Sequence, residues 1–188
     1  MLPAALSSVL LRDASGRERA LADVAGLNTA VVLVFLRHFA CPSCSDTAHR
    51  LAARAHEIDA LGCGLVVIGS GSVDALRGFE ERLGFSRAVV ALTDPSLAAH
   101  QAAGMVRSKW ATFGPRAIAR SLSLYAAGHY AKRRADDGDL DQQGGVLVFS
   151  RDGLIFEHRN HFVGDDVEPN EIVAALLVSE ASRAEVRT

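Results

Sequence analysis

Cys41-Pro42-Ser43-Cys44 places two thiols where each can act on the other's product. A thiolate attacks peroxides and disulfides far faster than a thiol, and a second cysteine about one helical turn on can close a disulfide after the first has reacted. The pair directly follows an apolar, β-branched run and opens a helix-forming stretch. The unpaired amides and positive dipole end of such a helix stabilise an anion, so Cys41 is expected to have a lowered pKa. Pro42 suits a first helical turn, where its missing N–H costs nothing. Arg37 and His38, just upstream, are expected to add positive charge beside the thiolate. Two other readings of the pair stay open. A zinc centre would need two more ligands from His38, His49, His158 and His161, but there is no second C-x-x-C and the His158–His161 spacing is shorter than usual. Alternatively, both cysteines simply pack. The redox reading requires no metal, flavin or nicotinamide.

Other candidates carry less. Cys63, in Gly62-Cys63-Gly64, is either a remote resolving cysteine or a small buried side chain, and the second fits its setting better. His49 and His56 fall on the flank of the helix after the motif; His158 and His161 either line a groove or are structural. Gly69-Ser70-Gly71 lacks the glycine spacing of a phosphate loop and reads as a turn opening a helix. The basic run Lys132-Arg133-Arg134 against Asp136, Asp137, Asp139 and Asp141 reads as a solvated, mobile loop, with a docking loop as the alternative.

The elements that must position these residues are legible in outline. Residues 8–12 suggest a short strand and 29–36 a strand buried on both faces. Leu51, Ala55, Ile58 and Leu61 recur at helical spacing over 45–61, closed by Gly62. A strand over 65–69, a helix from Ser72 to Leu83 stopped by Gly84, and a strand over 88–92 follow. Pro95 suits the first turn of another short helix. This alternation argues for parallel strands with helices on both faces. Between 108 and 128 the rhythm breaks; Trp110, Phe113, Ile118, Leu122 and Leu124 suggest a helix from about Pro115 packed on the domain. A hairpin through Arg151-Asp152-Gly153 and a helix from Glu168 to about Ser179 close the chain.

Composition sets the frame. With 188 residues, 49% of them apolar and 22% charged, the chain suits one globular domain over 1–188, with a helical and loop insertion at about 105–143. A net charge of −2 gives no electrostatic case for nucleic acid or an anionic membrane surface. No stretch approaches the roughly 18 apolar residues a membrane helix needs. The first residues lack a basic n-region, so a cytoplasmic location is expected. Three cysteines are too few for a disulfide scaffold.

Phe35-Leu36-Arg37-His38-Phe39-Ala40-Cys41-Pro42-Ser43-Cys44, Thr93-Asp94-Pro95 and Gln143-Gly144-Gly145-Val146-Leu147-Val148-Phe149, in that order, resemble the peroxiredoxin-like family related to alkyl hydroperoxide reductase and thiol-specific antioxidant proteins. One branch, the prostamide/prostaglandin F synthases, is also similar near Val163-Gly164-Asp165. The resemblance spans roughly residues 5 to 180. It implies an α/β, thioredoxin-like fold: a central mixed sheet flanked by helices on both faces. It implies two-electron reduction of a peroxide or endoperoxide, with thioredoxin or another dithiol returning the electrons. Cys41 would be the attacking thiolate and Cys44 its resolving partner. Arg37 and His38 would steady the leaving oxygen, and Gly144 and Gly145 would occupy the loop facing the motif. Val34 and His38 stand where typical members have a proline and a threonine or serine before the reactive cysteine. A protein-disulfide relay and a non-enzymatic thioredoxin-fold binding module are the competing expectations, the latter favoured by the irregular stretch 108–145. The expected partners are thus a peroxide and a dithiol reductant, without nucleic acid or membrane, and a homodimer is left open.

Overall fold

Every residue of the central apolar run is buried, and its alternating side chains divide between two cores. In the computed structural model, which describes residues 1–26, 28–126 and 133–185, this run is β3 (Ala30–Phe35). It pairs in parallel with β4 (Cys63–Gly69), which pairs in parallel with β5 (Val89–Thr93). On its other side β3 runs antiparallel to β6 (Gly145–Ser150), which forms the expected hairpin with β7 (Gly153–Arg159). The short strands β1 (Leu10–Arg12) and β2 (Glu18–Ala20) complete a seven-stranded mixed sheet of order β2-β1-β5-β4-β3-β6-β7.

Val32 and Val34 face a core built with α3 (Pro42–Ala52), α4 (Ala55–Ala60), α5 (Val73–Leu83) and α9 (Pro169–Glu185), through Leu51, Ile58, Phe79 and Ile172. Val31, Leu33 and Phe35 face the opposite core, closed by α1 (Ala4–Ser7), α2 (Leu21–Ala25) and α6 (Ala98–Ala102) through Leu6, Leu21 and Ala99. Helices therefore cover both faces, as the strand–helix alternation requires.

Some boundaries differ from expectation. The helix expected over 45–61 is two helices, broken at Ala53–Arg54; Leu51, Ala55 and Ile58 stay buried across the break, so their spacing does not betray it. Pro95 lies in a turn before α6, not within it, because the Asp94 carboxylate accepts from the N–H groups of Ser96 and Ala99 and delays the helix start. Helix α5 starts and stops as read, with Ser72 Oγ accepting from Ala75 N–H and Gly84 in the left-handed region (φ 61°).

The segment between α6 and β6 holds α7 (Lys109–Phe113) and α8 (Pro115–Ala126). Helix α8 begins at Pro115 as expected, but only part of its apolar surface packs: Ala117 and Leu124 are buried, while Trp110, Phe113, Ile118 and Leu122 face solvent. Residues 133–135 are exposed, but the stretch 136–144 is no solvated loop. Backbone carbonyls of Asp136 and Asp137 accept from the N–H groups of Ser72 and Phe39, and Gln142 and Gln143 are buried. Its acidic side chains are engaged locally, Asp139 and Asp141 by Arg107 and Asp136 by Ser72 and Arg134. Lys132 and Gly128 lie outside the described residues. Among the described residues no helix is long and apolar enough to cross a membrane.

Candidate functional site

Strand β3 ends at Phe35, and Leu36 N–H still pairs with Ile68 carbonyl, so the next residue is carried into the interior whatever its polarity. That residue is Arg37, 4% exposed. Ser70 Oγ donates to its carbonyl, and the ring of Phe39 fills the space left by Gly69 and Gly71, where any Cβ would collide with it. This contact is why the Gly69-Ser70-Gly71 turn carries glycines. Cys41 N–H then turns back to the His38 carbonyl, and Pro42 starts α3 with Cys41 as its N-cap.

The Arg37 guanidinium radiates four hydrogen bonds. Nη2 donates to Leu140 carbonyl (2.7 Å) and Thr112 Oγ1 (3.0 Å), Nε to Gln142 carbonyl (3.2 Å), and Nη1 reaches Cys41 Sγ at 3.6 Å. Among the described residues no carboxylate pairs with it. A buried cation without a counter-charge is costly. The one group it touches that can become an anion is Cys41.

The two sulfurs are held unequally. Cys41 Sγ accepts from Cys44 N–H at 3.3 Å, while Cys44 Sγ accepts from Arg37 N–H at 3.3 Å. The hydrogen bond from the Cys44 thiol, with Arg37 and the helix amide, outweighs burial and brings the Cys41 pKa down to about 7. Burial, reinforced by the Cys41 anion, pushes Cys44 well up. A substantial share of Cys41 is therefore thiolate at neutral pH, while Cys44 is held as the protonated thiol.

His38 is not the second cation expected. Its burial, followed by Arg37 and Arg133, lowers its pKa to about 3, so the ring is neutral beside the motif. Among the described residues the cation that touches Cys41 is Arg37. Gly145 is the first residue of β6 rather than a loop residue, and lines a small cavity of about 10 Å3 with Cys44, Thr47, Asn160 and Asp166. Gly144 precedes it; a Cβ there would collide with the Phe35 carbonyl, so glycine lets the chain pass against the end of β3.

Several site residues had no signal in the sequence. Ser43 Oγ bridges both oxygens of Asp166 at 2.7 Å, and Gln143 Nε2 donates to Thr112 Oγ1 at 3.1 Å. Both partners are distant in the chain, and no local pattern marks Thr112 or Asp166. The remaining candidates lie elsewhere. Cys63 starts β4, opposite Ala30 and so at the far end of β3 from Cys41, buried and with its pKa raised chiefly by burial. His49 and His56 are exposed, and His158 is held by the Asp165 carbonyl.

A groove of about 320 Å3 opens beside the pair. Arg37, His38 and Pro42 form one wall; Phe113, Ile118 and Leu122 form the other. Cys41 and Cys44 are both buried and neither lines this groove, although their neighbours Arg37, His38 and Pro42 do. A larger cavity, about 570 Å3, lies at the opposite end of β3 around Ala30 and Ser150, remote from the cysteine pair.

Residues 50–161 match the AhpC/TSA antioxidant enzyme family, a span that begins just past the cysteine pair. The chain is 34% identical over 179 residues to the thioredoxin-like protein AAED1, chloroplastic, of Arabidopsis thaliana, covering 90% of this chain and 71% of that protein. Its fold is similar to the bacterioferritin comigratory protein of Xanthomonas campestris (TM-score 0.68, 19% identity, 96% of this chain and 97% of that one). It is also similar to peroxidoxin BcpB of Mycobacterium tuberculosis (TM-score 0.65, 18% identity, 90% and 92%). The mixed sheet with helices on both faces is the thioredoxin-like arrangement of these proteins.

Proposed function

The chain belongs to the AhpC/TSA antioxidant enzyme family, and from that premise we propose that it is a thiol peroxidase using Cys41 as attacking thiolate and Cys44 as resolving thiol. The observation that carries this reading is the buried Arg37, whose guanidinium faces Cys41 Sγ and has no carboxylate among the described residues.

The Cys41 thiolate attacks one oxygen of the peroxide; the O–O bond breaks, and the departing alkoxide takes up a proton and leaves as alcohol, or as water from hydrogen peroxide. Arg37 donates to the charge that shifts from sulfur to the leaving oxygen. Cys41 is left as a sulfenic acid. The Cys44 thiol then attacks that sulfur, its proton leaving with the hydroxyl as water, and the Cys41–Cys44 disulfide forms. An external dithiol of thioredoxin type restores both thiols and is itself oxidised to a disulfide.

Intact-mass spectrometry of the reduced protein after one equivalent of a hydroperoxide tests this. Wild type should lose two hydrogens, Cys44→Ser should gain one oxygen, and Cys41→Ser should not react. Full activity of Cys41→Ser refutes the assignment. Inertness toward peroxides together with rapid reduction of insulin would make the chain a protein-disulfide relay instead.

A further inference from the structure

Closing the disulfide requires the Cys44 thiol to give up a proton that burial holds tightly. The two ionisable groups beside it do not take that proton: Arg37 is already a cation, and the Cys41 sulfur is the atom attacked. Cys44 also borders the small cavity of about 10 Å3, which it shares with Thr47, Asn160 and Asp166. Cys44 and Thr47 are three residues apart on α3 and so lie on one face of that helix.

Three features single out this cavity. Its size suits one water molecule, which needs about 10–15 Å3 by this measure and two to four polar partners. Thr47 is 7% exposed, and its Oγ1 is buried with no hydrogen-bond partner among the described residues, a costly state for a hydroxyl unless a partner is supplied. Asp166 is the one carboxylate on the cavity wall, and it is anchored: Ser43 Oγ donates to its two oxygens at 2.7 Å, and Asn160 Nδ2 lies 3.5 Å from Oδ1. The Asp166 charge also raises the pKa of Cys41, against the effect of Arg37. A carboxylate that hinders the first step is accounted for by a part in the second.

We propose that Asp166 is the proton acceptor for Cys44, reached through one water molecule held by Thr47 and Asn160. As Cys44 Sγ attacks the Cys41 sulfur, its proton passes to the water and a proton of the water passes to the Asp166 carboxylate. The S–S bond forms and the S–O bond of the Cys41 sulfenic acid breaks. The departing hydroxide takes up a proton from solvent and leaves as water, and Asp166 returns its proton to solvent. Ser43 is a positioning residue that fixes the carboxylate. This proposal rests on the disulfide cycle of the pair, whichever oxidant starts it.

Reduced full-length protein carrying Cys63→Ala is mixed with dithiodipyridine, which calls on no peroxidase chemistry. One equivalent of thiopyridone is released as Cys41 forms a mixed disulfide, and a second as Cys44 displaces it and closes the Cys41–Cys44 bond. In Asp166→Asn the first phase should be as fast as in the parent at neutral pH and faster at lower pH, because the charge opposing the Cys41 anion is gone. The second phase should slow about tenfold or more at neutral pH. It should recover as pH rises, since hydroxide then replaces the lost acceptor. Thr47→Val should slow the second phase alone. With a hydroperoxide instead, Asp166→Asn should accumulate the Cys41 sulfenic acid, seen as a dimedone adduct by mass. Equal second-phase rates and pH profiles in parent and Asp166→Asn overturn the proposal. Equal slowing of both phases also overturns it, because that is the mark of a displaced motif. Reaction with dithiodipyridine but not with hydroperoxide leaves the acceptor standing and removes the peroxidase reading; no reaction with either reagent removes both.

Discussion

Three of the four acceptors around the Arg37 guanidinium are neutral oxygens that fix its position, and the fourth is Cys41 Sγ. The fork geometry matters as much as the charge, since a lysine cannot satisfy Leu140, Gln142 and Thr112 together. Arg37→Met should raise the Cys41 pKa above about 7. Because the thiolate is the reactive form, alkylation by iodoacetamide rises with pH through that pKa, and its midpoint should move to higher pH in the variant. The peroxide reaction at neutral pH should slow about fivefold or more, since a one-unit rise from a pKa of about 7 takes the thiolate from about one half to about one tenth. Cys44→Ala should also move the midpoint up, because the Cys44 hydrogen bond is the largest influence lowering it. An unchanged midpoint in both variants would leave the helix N-terminus as the sole activator.

At the scale of elements, the site is the meeting of β3 and α3 with two pieces that arrive from far along the chain. Helix α7 brings Thr112, whose hydroxyl accepts from Arg37 and Gln143 and donates to Leu140 carbonyl. Thr112→Val removes these bonds at nearly constant volume and leaves buried donors unmatched, a loss of about 1–3 kcal/mol. Denaturant unfolding should show that loss, and the alkylation midpoint of Cys41 should shift as Arg37 loosens. The start of β6 is the other piece. Gly144→Ala would force the chain away from the Phe35 carbonyl, costing about 1–3 kcal/mol as overpacking does. A thermal melt identical to wild type would mean that β6 can shift without disturbing β3.

For the molecule as a whole, the buried histidines set the acid limit. His38 has its pKa lowered to about 3 by burial, and burial also lowers that of His100, whose ring bonds the Leu36 carbonyl. In the unfolded chain both titrate near 6.5. The unfolded state therefore binds more protons between about pH 3 and 6.5, and stability is lost as pH falls through that window. Each histidine contributes up to about 1.4 kcal/mol per pH unit. The denaturant midpoint should drop steeply below pH 6.5, and His38→Gln should flatten the slope. A slope unchanged by that variant would show His38 to be hydrated enough to protonate in the folded state.

The sequence alone determined what short-range physics controls. The β-branched run of β3, the Ser72 cap and Gly84 stop of α5, the Arg151-Asp152-Gly153 turn and the cysteine pair at a strand-to-helix junction are all written within a few residues. The tertiary structure alone decided the break at Ala53–Arg54, the packing of 136–144 and the surroundings of Arg37, whose partners Thr112, Leu140 and Gln142 lie 75, 103 and 105 residues away. Two of those partners are backbone carbonyls, which every residue possesses and no pattern distinguishes. The neutrality of His38 was equally illegible, because a side chain's charge follows its burial and neighbours, and the fold assembles both.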